Sequence, residues 1–401
     1  MRVLFLLISF PKLSFGNNMY ADLVEEFHNK GHEVFVVTLE ESGDLSKSSI
    51  SEERGFPVLR VGCGKMFNVN YVRKALTMMS IPRKYISAIK KHFGDKKFDL
   101  VVYPTPPITL APVVKYIKKR DNARTYLILR DIFPQNAKDL GMIKSELVFK
   151  YFRKKEQQLY DISDRIGCMS QGNIDYVLKH NKVPKEKLEI LYNWKKPSNL
   201  PPIDKEEVKK SYGLEGKFVA FFGGNIGYAQ ELEFLIELAE CYKTRDDIVF
   251  LIVGKGVMKP KIENLAKEKQ LKNVRFIDYL PRDEYEKLLR AADVGLINLS
   301  RKFTIPNIPS KAVSYMEAGI PILAATDKNT DFGKMIEGIG AGLWCETGDL
   351  DSYSSNLEKL LTDTKLRERI RERAMAFMKD NMTASYVFQR ILAIDIARGT
   401  C

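Results

Sequence analysis

The sequence predicts an α/β protein built from two doubly wound domains in tandem. Patterns of strands and helices alternate through residues 1–191, and the same alternation restarts at residue 218. Such alternation is typical of parallel sheets whose crossover helices cover both faces. The segment 193–202 between the two series contains three prolines and many polar residues, which is typical of a linker. The chain has 401 residues, 45% of them hydrophobic, which suffices for two domain cores.

The first series begins with an apolar run that follows Arg2, an arrangement that resembles a signal peptide. An amphipathic helix and a second apolar strand follow it closely, so we expect the run to be the first strand of a βαβ unit instead. The predicted strands are 2–9, 34–39, 99–103, 125–129, 164–169 and 188–191, and the predicted helices are 18–30, 72–93, 110–120, 145–160 and 172–180.

The second series predicts a second parallel sheet. The first domain is expected to span residues 1–197 and the second 203–382, and a helix at 383–401 is expected to return to the first domain. Two such sheets can turn the carboxyl ends of their strands toward a shared cleft. The predicted strands are 218–222, 248–253, 274–277, 294–297 and 321–324; the predicted helices are 229–243, 258–269, 282–291, 311–318 and 353–361, with a helical end segment, 367–398, broken near 380–383.

Composition excludes several classes of function. The net charge of +13 favours an acidic partner such as a polyphosphate sugar, an anionic lipid or a nucleic acid. The five cysteines are scattered and the four histidines isolated, so neither a metal site nor a serine–histidine triad is indicated, and a reducing cytoplasm is expected. No stretch reaches the roughly 18 consecutive apolar residues of a membrane-spanning helix.

Glycine-containing loops follow the first strand of each series. In the second series Gly224, Asn225 and Gly227 precede a predicted helix, and in the first series Gly16 and Asn17 do so. Backbone amides in such a loop, with the helix N-terminus behind them, can hold a diphosphate. The alternative is a tight strand-to-helix turn without a ligand. Neither loop matches a dinucleotide fingerprint or a P-loop.

Other candidate ligand-binding residues follow later strands of the second series. Lys255 lies in a further glycine turn. Ser310 is expected to cap the helix that begins at Lys311, whose ammonium group would meet a phosphate. Glu317, near the end of that helix, would accept hydrogen bonds from ribose hydroxyls or would be an ordinary solvated carboxylate.

In the first series, Arg130 and Asp131 end an apolar strand at the sheet edge where open α/β sheets place their sites. An ion pair that only holds the loop is the alternative. Ser170 ends a neighbouring strand toward the same edge. The stretch 65–86 mixes aromatic, Met and basic residues, which suits either docking at an anionic bilayer or packing on its own domain.

Taken together, these segments resemble glycosyltransferase family 4, and within it the bacterial O-antigen and capsule branch that includes N-acetylfucosamine transferases. The resemblance covers essentially the whole chain. It depends on residues 129–134, 170–172, Asn193-Trp194, 224–227, 309–311, 315–316 and 319–321.

The resemblance implies the GT-B fold, in which the first domain binds the acceptor and the second the nucleotide-sugar donor. It also implies a retaining, metal-independent transferase that uses a UDP-sugar and an undecaprenyl-diphosphate-linked saccharide at the inner face of the cell membrane. Arg130 and Asp131 would position donor and acceptor, and Ser170 and Asn193 would line the acceptor side. The remaining candidates would hold the donor: Gly16, Asn17, Gly224, Asn225, Gly227, Lys255, Ser310, Lys311 and Glu317.

The sequence departs from the family pattern at three positions. Pro306 and Ser314 stand where many members carry two glutamates, and Ala229 stands where many carry a lysine. Lys255, Lys302 and Lys311 would then supply the phosphate-binding charge. Two alternatives remain open, a nucleotide-sugar 2-epimerase of the same fold and a non-catalytic, transferase-like partner subunit. Nucleic-acid binding is not indicated, because the basic residues are spread over many helices.

Overall fold

A computed structural model describes residues 1–14, 16–40, 47–64, 71–198 and 201–393, and the side chains of 71–76 lie outside this description. The chain forms two units: residues 1–196 with 384–401, and residues 197–383. The predicted domains divide the chain at nearly the same places. Among the described residues, no helix is both long and apolar enough to cross a bilayer.

The first unit contains an eight-stranded sheet in the order β3-β4-β2-β1-β5-β6-β7-β8. All neighbouring strands are parallel except β3 and β4, which form an antiparallel pair that the sequence patterns did not indicate. The order reverses beside β1, where β2 lies on one side and β5 on the other. The strands are β1 Arg2–Leu6, β2 Glu33–Leu39, β3 Ser49–Glu53, β4 Phe56–Val61, β5 Leu100–Pro104, β6 Arg124–Leu129, β7 Arg165–Cys168 and β8 Leu188–Ile190.

Helices cover both faces of this sheet and bury its apolar side chains in two clusters, one on each face. The N-terminus of the first helix is capped by Asn18, whose side chain accepts hydrogen bonds from the amides of Tyr20 and Ala21. The helices are α1 Met19–Asn29, α2 Tyr71–Phe93, α3 Ala111–Asp121, α4 Gln135–Asp139, α5 Glu146–Ile162 and α6 Gln171–His180.

The second unit contains a six-stranded, wholly parallel sheet in the order β11-β10-β9-β12-β13-β14. This is the 3-2-1-4-5-6 order of dinucleotide-binding sheets, whose ligands bind beyond the strand ends where the order reverses. In this sheet the reversal lies between β9 and β12. The strands are β9 Phe218–Gly223, β10 Ile248–Val253, β11 Val274–Ile277, β12 Val294–Asn298, β13 Ile322–Thr326 and β14 Gly342–Glu346.

Helices again cover both faces of the second sheet. The sequence patterns missed the short helix α7, helix α12 and strand β14, although the other elements lie close to their predicted positions. The predicted break near 380–383 is confirmed, since one helix ends at Asn381 and another begins at Ala384. The helices are α7 Lys205–Ser211, α8 Leu232–Cys241, α9 Lys259–Glu268, α10 Arg282–Ala291, α11 Lys311–Ala318, α12 Phe332–Ile339, α13 Leu350–Thr362 and α14 Thr364–Asn381.

The last described helix, α15 (Ala384–Leu392), packs against α1 in the first unit. The ring of Phe388 meets that of Phe27 edge-on, with centroids 4.7 Å apart, and Arg390 pairs with Glu189 on β8. The end of the predicted helix 383–401 lies outside the described residues. The first unit is therefore completed by a segment that follows the second unit in the sequence.

Candidate functional site

The loops that follow β9 and β10 in the second unit are hydrogen-bonded to each other. The amide of Gly224 donates to the carbonyl of Val253 at 2.9 Å, and the amide of Ile226 donates to the carbonyl of Lys255 at 2.8 Å. In return, the amide of Met258 donates to the carbonyl of Ile226 at 3.0 Å. These two loops therefore form one interlocked turn, and the loop after β9 lies at the point where the sheet order reverses.

This interlocking explains why the loops contain glycine. A Cβ at Gly254 would lie 1.9 Å from the carbonyl oxygen of Gly224, and a Cβ at Gly256 would lie 2.1 Å from that of Ile226. Gly224 and Gly254 also have φ values of +124° and +149°, which other residues rarely adopt. The predicted anion-binding role of the loop amides needs correction here, because the Gly224 and Ile226 amides are already engaged and the Gly227 amide donates to the Gln230 side chain.

The helix after the glycine loop starts later than predicted. Residues 228–230 form a short 3₁₀ turn, Glu231 follows with a φ of +41°, and α8 begins only at Leu232. The Glu231 carboxylate accepts a hydrogen bond from the amide of Arg301 at 2.9 Å and pairs with its guanidinium group. The helix N-terminus is thus separated from Gly227, and its dipole contributes less at the loop than the sequence suggested.

Lys311 supplies the positive charge at this turn. Its Nζ lies 3.6 Å from the centroid of the Phe222 ring and would be 3.7 Å from a Cβ at Gly224. The Nζ atom is buried, and no hydrogen-bond partner for it exists among the described residues. Removal from water lowers the pKa of the ammonium group from 10.5 to about 7. A buried cation without a counter-ion is costly, which indicates a place for an anionic ligand.

The other residues that the sequence predicted to bind the sugar donor lie in different environments. Ser310 precedes α11, but its side chain does not cap the helix, which corrects the prediction. Asn225 is exposed beside Gly224. The exposed Lys255 extends over the Tyr279 ring, 5.4 Å from its centroid. Glu317 is half-exposed, and its Oε1 accepts hydrogen bonds from the Ser198 amide at 2.6 Å and hydroxyl at 2.8 Å.

In the first unit, the loop after β1 leaves open space at Gly16, where a Cβ would meet no atom within 4 Å. The side-chain amide of Asn17 donates to Asp22, whereas its buried Oδ1 has no partner in the described part of the chain. Because no atom of the described residues crowds Gly16, packing against them does not explain the glycine at that position.

Arg130 and Asp131 follow β6. The Arg130 guanidinium lies over the Trp194 ring, 6.0 Å from its centroid, and its buried Nη1 has no hydrogen-bond partner among the described residues. Removal from water lowers the pKa of Arg130. Asp131 retains an exposed surface, yet crowding by protein atoms raises the pKa of its carboxyl, and Arg130 partly offsets this rise. Within the described residues no ion pair joins the two, so the loop-holding ion pair offered as the alternative is absent.

Trp194 is the residue at this site that the sequence patterns singled out only through the resemblance. Its ring is buried, contacts Tyr20 edge-on with centroids 6.1 Å apart, and its indole N–H donates to the carbonyl of Met19 at 2.6 Å. Trp194 therefore connects the start of α1 to Arg130. An isolated tryptophan at the end of a strand series was the available signal for this connection.

Ser170 and Asn193 are buried rather than displayed. Ser170 is the N-cap of α6, and its hydroxyl accepts a hydrogen bond from the Asn173 amide at 3.2 Å. Asn193 is 1% exposed. Neither side chain is open to solvent, and the Ser170 hydroxyl stabilises the start of α6. Across the described ranges, no group of three or more His, Cys, Asp or Glu side chains is placed to hold a metal ion.

Comparisons with known proteins agree with both halves of the fold. The family model described as "Glycosyltransferase Family 4" matches residues 16–194, and that described as "Glycosyl transferases group 1" matches residues 204–377. The chain is a glycosyltransferase. Both matches favour an enzyme over the non-catalytic, transferase-like partner subunit that the sequence left open.

Curated relatives of this glycosyltransferase are distant but cover much of the chain. "Probable glycosyltransferase WbjE" of Pseudomonas aeruginosa is 24% identical and covers 68% of each chain. A Campylobacter jejuni enzyme is 25% identical over 55% of this chain and 58% of its own. It is named "N-acetylgalactosamine-N,N'-diacetylbacillosaminyl-diphospho-undecaprenol 4-alpha-N-acetylgalactosaminyltransferase". That name places a lipid-linked acceptor in the relative.

Among solved structures, Anabaena HepE in complex with UDP has a TM-score of 0.74 at 14% identity and covers 99% of this chain and 100% of its own. At that identity the likeness shows the fold alone. The predicted GT-B fold, with two Rossmann-like α/β domains, is thus confirmed.

Proposed function

We propose that this enzyme transfers a sugar, in particular an N-acetylated deoxyhexose, from a UDP-sugar to an undecaprenyl-diphosphate-linked saccharide in capsule or O-antigen assembly. We further propose that it works at the inner face of the cell membrane, retains the configuration at the transferred carbon and needs no metal ion. The name of the Campylobacter relative supports a lipid-linked acceptor, and the UDP bound to HepE supports a UDP donor.

The observation that carries this proposal is the buried ammonium group of Lys311 beside the turn at Gly224, for which the described part of the chain offers no hydrogen-bond partner. A diphosphate at the ends of β9 and β12 would provide the missing counter-ion. As the bond between the sugar and the diphosphate breaks, negative charge grows on the leaving oxygen, and a fixed cation stabilises that charge. Lys311 would thus do the work that a metal ion does in other transferases, and the exposed Lys255 would add to it.

The reaction then requires little covalent chemistry from side chains. The acceptor hydroxyl oxygen bonds to the anomeric carbon, the bond from that carbon to the diphosphate breaks, and the hydroxyl proton passes to the leaving phosphate oxygen. UDP and the extended saccharide are the products. On the acceptor side, Arg130 offers an unpartnered buried Nη1 and Asp131 an accessible carboxylate for orienting hydroxyl groups.

A nucleotide screen tests the donor half of the proposal. We expect UDP to raise the melting temperature of the purified enzyme more than GDP, ADP or TDP, equally with and without magnesium, because a ligand that binds only the folded state stabilises it. A shift that requires magnesium would contradict the metal-free site. A larger shift with another nucleotide would contradict the UDP donor.

A transfer assay tests the reaction itself. With a UDP-N-acetylated deoxyhexose and an undecaprenyl-diphosphate-linked saccharide, NMR of the product should show that the anomeric configuration of the donor is kept. Donor incubated alone should stay intact. Its conversion to a second nucleotide sugar without acceptor would instead identify the 2-epimerase reaction.

A further inference from the structure

Helix α5 exposes apolar side chains at its N-terminal end. Leu147 is 81% exposed, Val148 44% and Tyr151 41%, although the later part of the same helix buries Leu159 and Tyr160. Leu147 and Tyr151 are four residues apart and thus lie on one side of the helix. Exposed apolar residues are ordinary when single, but a contiguous group marks a contact surface.

A neighbouring groove extends this apolar surface. The groove has a volume of about 640 Å³ and lies between α2 and α5, with Met79, Pro82 and Ile86 from α2 and Tyr151 and Lys155 from α5 among its lining residues. Met79 is itself 55% exposed. We call the exposed side of residues 147–155 together with this groove the α2–α5 face. The face lies entirely in the first unit.

The charge of the α2–α5 face is positive. Residues 147–155 contain four basic residues and no carboxylate, and Arg83 from α2 adds a further cation at the groove. The nearest carboxylates on the helix are already used, since Glu146 pairs with Lys138 at 3.0 Å and the buried Glu156 pairs with Arg153. Apolar side chains ringed by lysine and arginine are the combination that binds anionic bilayers, where rings and aliphatic groups enter the interface and cations meet lipid phosphates.

We propose that the α2–α5 face docks the enzyme on an anionic lipid bilayer. This proposal rests on the proposed function, because an acceptor with an undecaprenyl anchor is presented at a membrane. The occupant is a bilayer and not a second copy, since two faces of the same positive charge repel each other. Part of α2 belongs to the stretch 65–86 that the sequence singled out for docking, whereas residues 65–70 lie outside the described residues. Leu147, Val148 and Tyr151 are additions from the structure.

Vesicle co-sedimentation of the full chain tests the docking. We expect binding to vesicles with about one-third phosphatidylglycerol, weakening as salt rises, and little binding to pure phosphatidylcholine. Reversing Lys150 and Lys154 together (Lys150→Glu, Lys154→Glu) should weaken binding by roughly 100-fold or more. The matched control, Lys365→Glu with Arg369→Glu on exposed α14 of the second unit, makes the same charge change and should bind nearly as well as the wild type.

A second pair of variants tests the apolar part. Leu147→Ser with Tyr151→Ser should reduce vesicle binding and keep the circular dichroism of the wild type. The control Ile50→Ser, at an exposed position away from α5, should keep both the vesicle binding and the circular dichroism of the wild type. Equal binding of the α5 variants and the wild type would overturn the proposal. So would concentration-dependent light scattering without vesicles that Leu147→Ser abolishes, because the face would then be an interface between copies.

Failure of the docking and failure of the proposed function can be told apart. With a detergent-dispersed acceptor, the α5 variants should transfer sugar at the wild-type rate, because no bilayer is present. If vesicles bind the wild type but no UDP-sugar is consumed, only the proposed function fails. If transfer proceeds but no anionic vesicle binds the wild type, only the docking fails.

Discussion

At the scale of single residues, Lys311 combines a structural cost with a proposed function, and one substitution separates the two. Replacing it by methionine removes a buried charge that has no counter-ion, so the free energy of unfolding should stay equal or rise. The same variant should bind UDP roughly 10–100-fold more weakly, since a hydrogen bond to a charged group is lost. Chemical denaturation and isothermal titration calorimetry measure the two effects. Lys287→Met, at an exposed position on α10, should change neither.

The titration of Lys311 provides a second prediction. Its pKa is about 7 in the folded chain against an ordinary 10.5, so between these values the unfolded chain binds more protons. Stability from this group therefore rises with pH across that window, and its cost is complete below pH 7. The stability advantage of Lys311→Met should be largest there and should shrink toward pH 10.5.

Binding of UDP should reverse that shift, because an anion favours the charged lysine. Calorimetry at a pH between 7 and 10.5, in buffers of different ionisation enthalpy, should show uptake of a proton by the wild type and none by Lys311→Met. Uptake by both proteins would assign the proton to another group.

A substitution of Asp131 tests whether the first unit positions the acceptor while the second unit binds UDP. Asp131→Asn should lower kcat by roughly 10–100-fold through loss of substrate positioning, and leave the Kd for UDP unchanged. Its surroundings raise the pKa of the Asp131 carboxyl. As the pH is lowered, the wild-type rate should therefore begin to fall at a higher pH than it would with an ordinary aspartate. The variant should lack this acid-side fall in rate. Asp175→Asn, exposed on α6, is the control, and a UDP affinity that falls with Asp131→Asn would refute this assignment of roles.

Residue types and strand ends were enough to select Lys311, Arg130 and Asp131 from the sequence. What the sequence could not reveal was the partner of each side chain, since Glu317 and Ser198 are 119 residues apart and meet only in the folded chain. The same limit applies to Phe222 beneath Lys311. Partners far apart in sequence are decided by tertiary packing, for which one sequence carries no local signal.

At the scale of elements, the alternation of strands and helices predicted most strands of both sheets but not β3, β4 or β14. Strand β3 was missed because Ser49–Glu53 is polar and mostly exposed and lacks a strand's usual apolar alternation. Strand β4, Phe56–Val61, is apolar and mostly buried, and the sequence patterns missed it as well. The sequence placed the glycine loops after the correct strands. The structure explains Gly254 and Gly256 by the contact between two loops, whereas the sequence had suggested a ligand. A glycine needed for a ligand and a glycine needed for a neighbouring loop look the same in a sequence.

Substituting glycines one at a time tests this explanation. Gly256→Ala should destabilise the second unit by about 2 kcal/mol or more, because its Cβ would overlap the Ile226 carbonyl. Gly16→Ala should leave stability within about 0.5 kcal/mol, so any loss of activity reports contact with substrate. Gly338→Ala, with open space on α12, should be neutral or stabilise by up to about 1 kcal/mol. Thermal denaturation compares them, and a harmless Gly256→Ala would refute the interlocked turn.

At the scale of the whole molecule, the chain divides into two units that should respond separately to ligands and substitutions. In hydrogen exchange, UDP should protect the loops after β9 and β10 and the start of α11, because its proposed contacts lie there. Phe388→Ala should instead accelerate exchange in α1 and β1, since Phe388 covers Phe27. Protection by UDP concentrated near Arg130 would contradict the proposed donor site.

The return of α15 to the first unit also affects synthesis of the chain. A ribosome has made the whole second unit before it makes Ala384–Leu392, so the nascent first unit waits with Phe27 uncovered. Until Ala384–Leu392 has been made, that aromatic surface is available to chaperones. A truncated chain that ends within α14 would keep this aromatic surface exposed permanently. Proteases that recognise exposed apolar surface could then distinguish the truncated enzyme from the folded one.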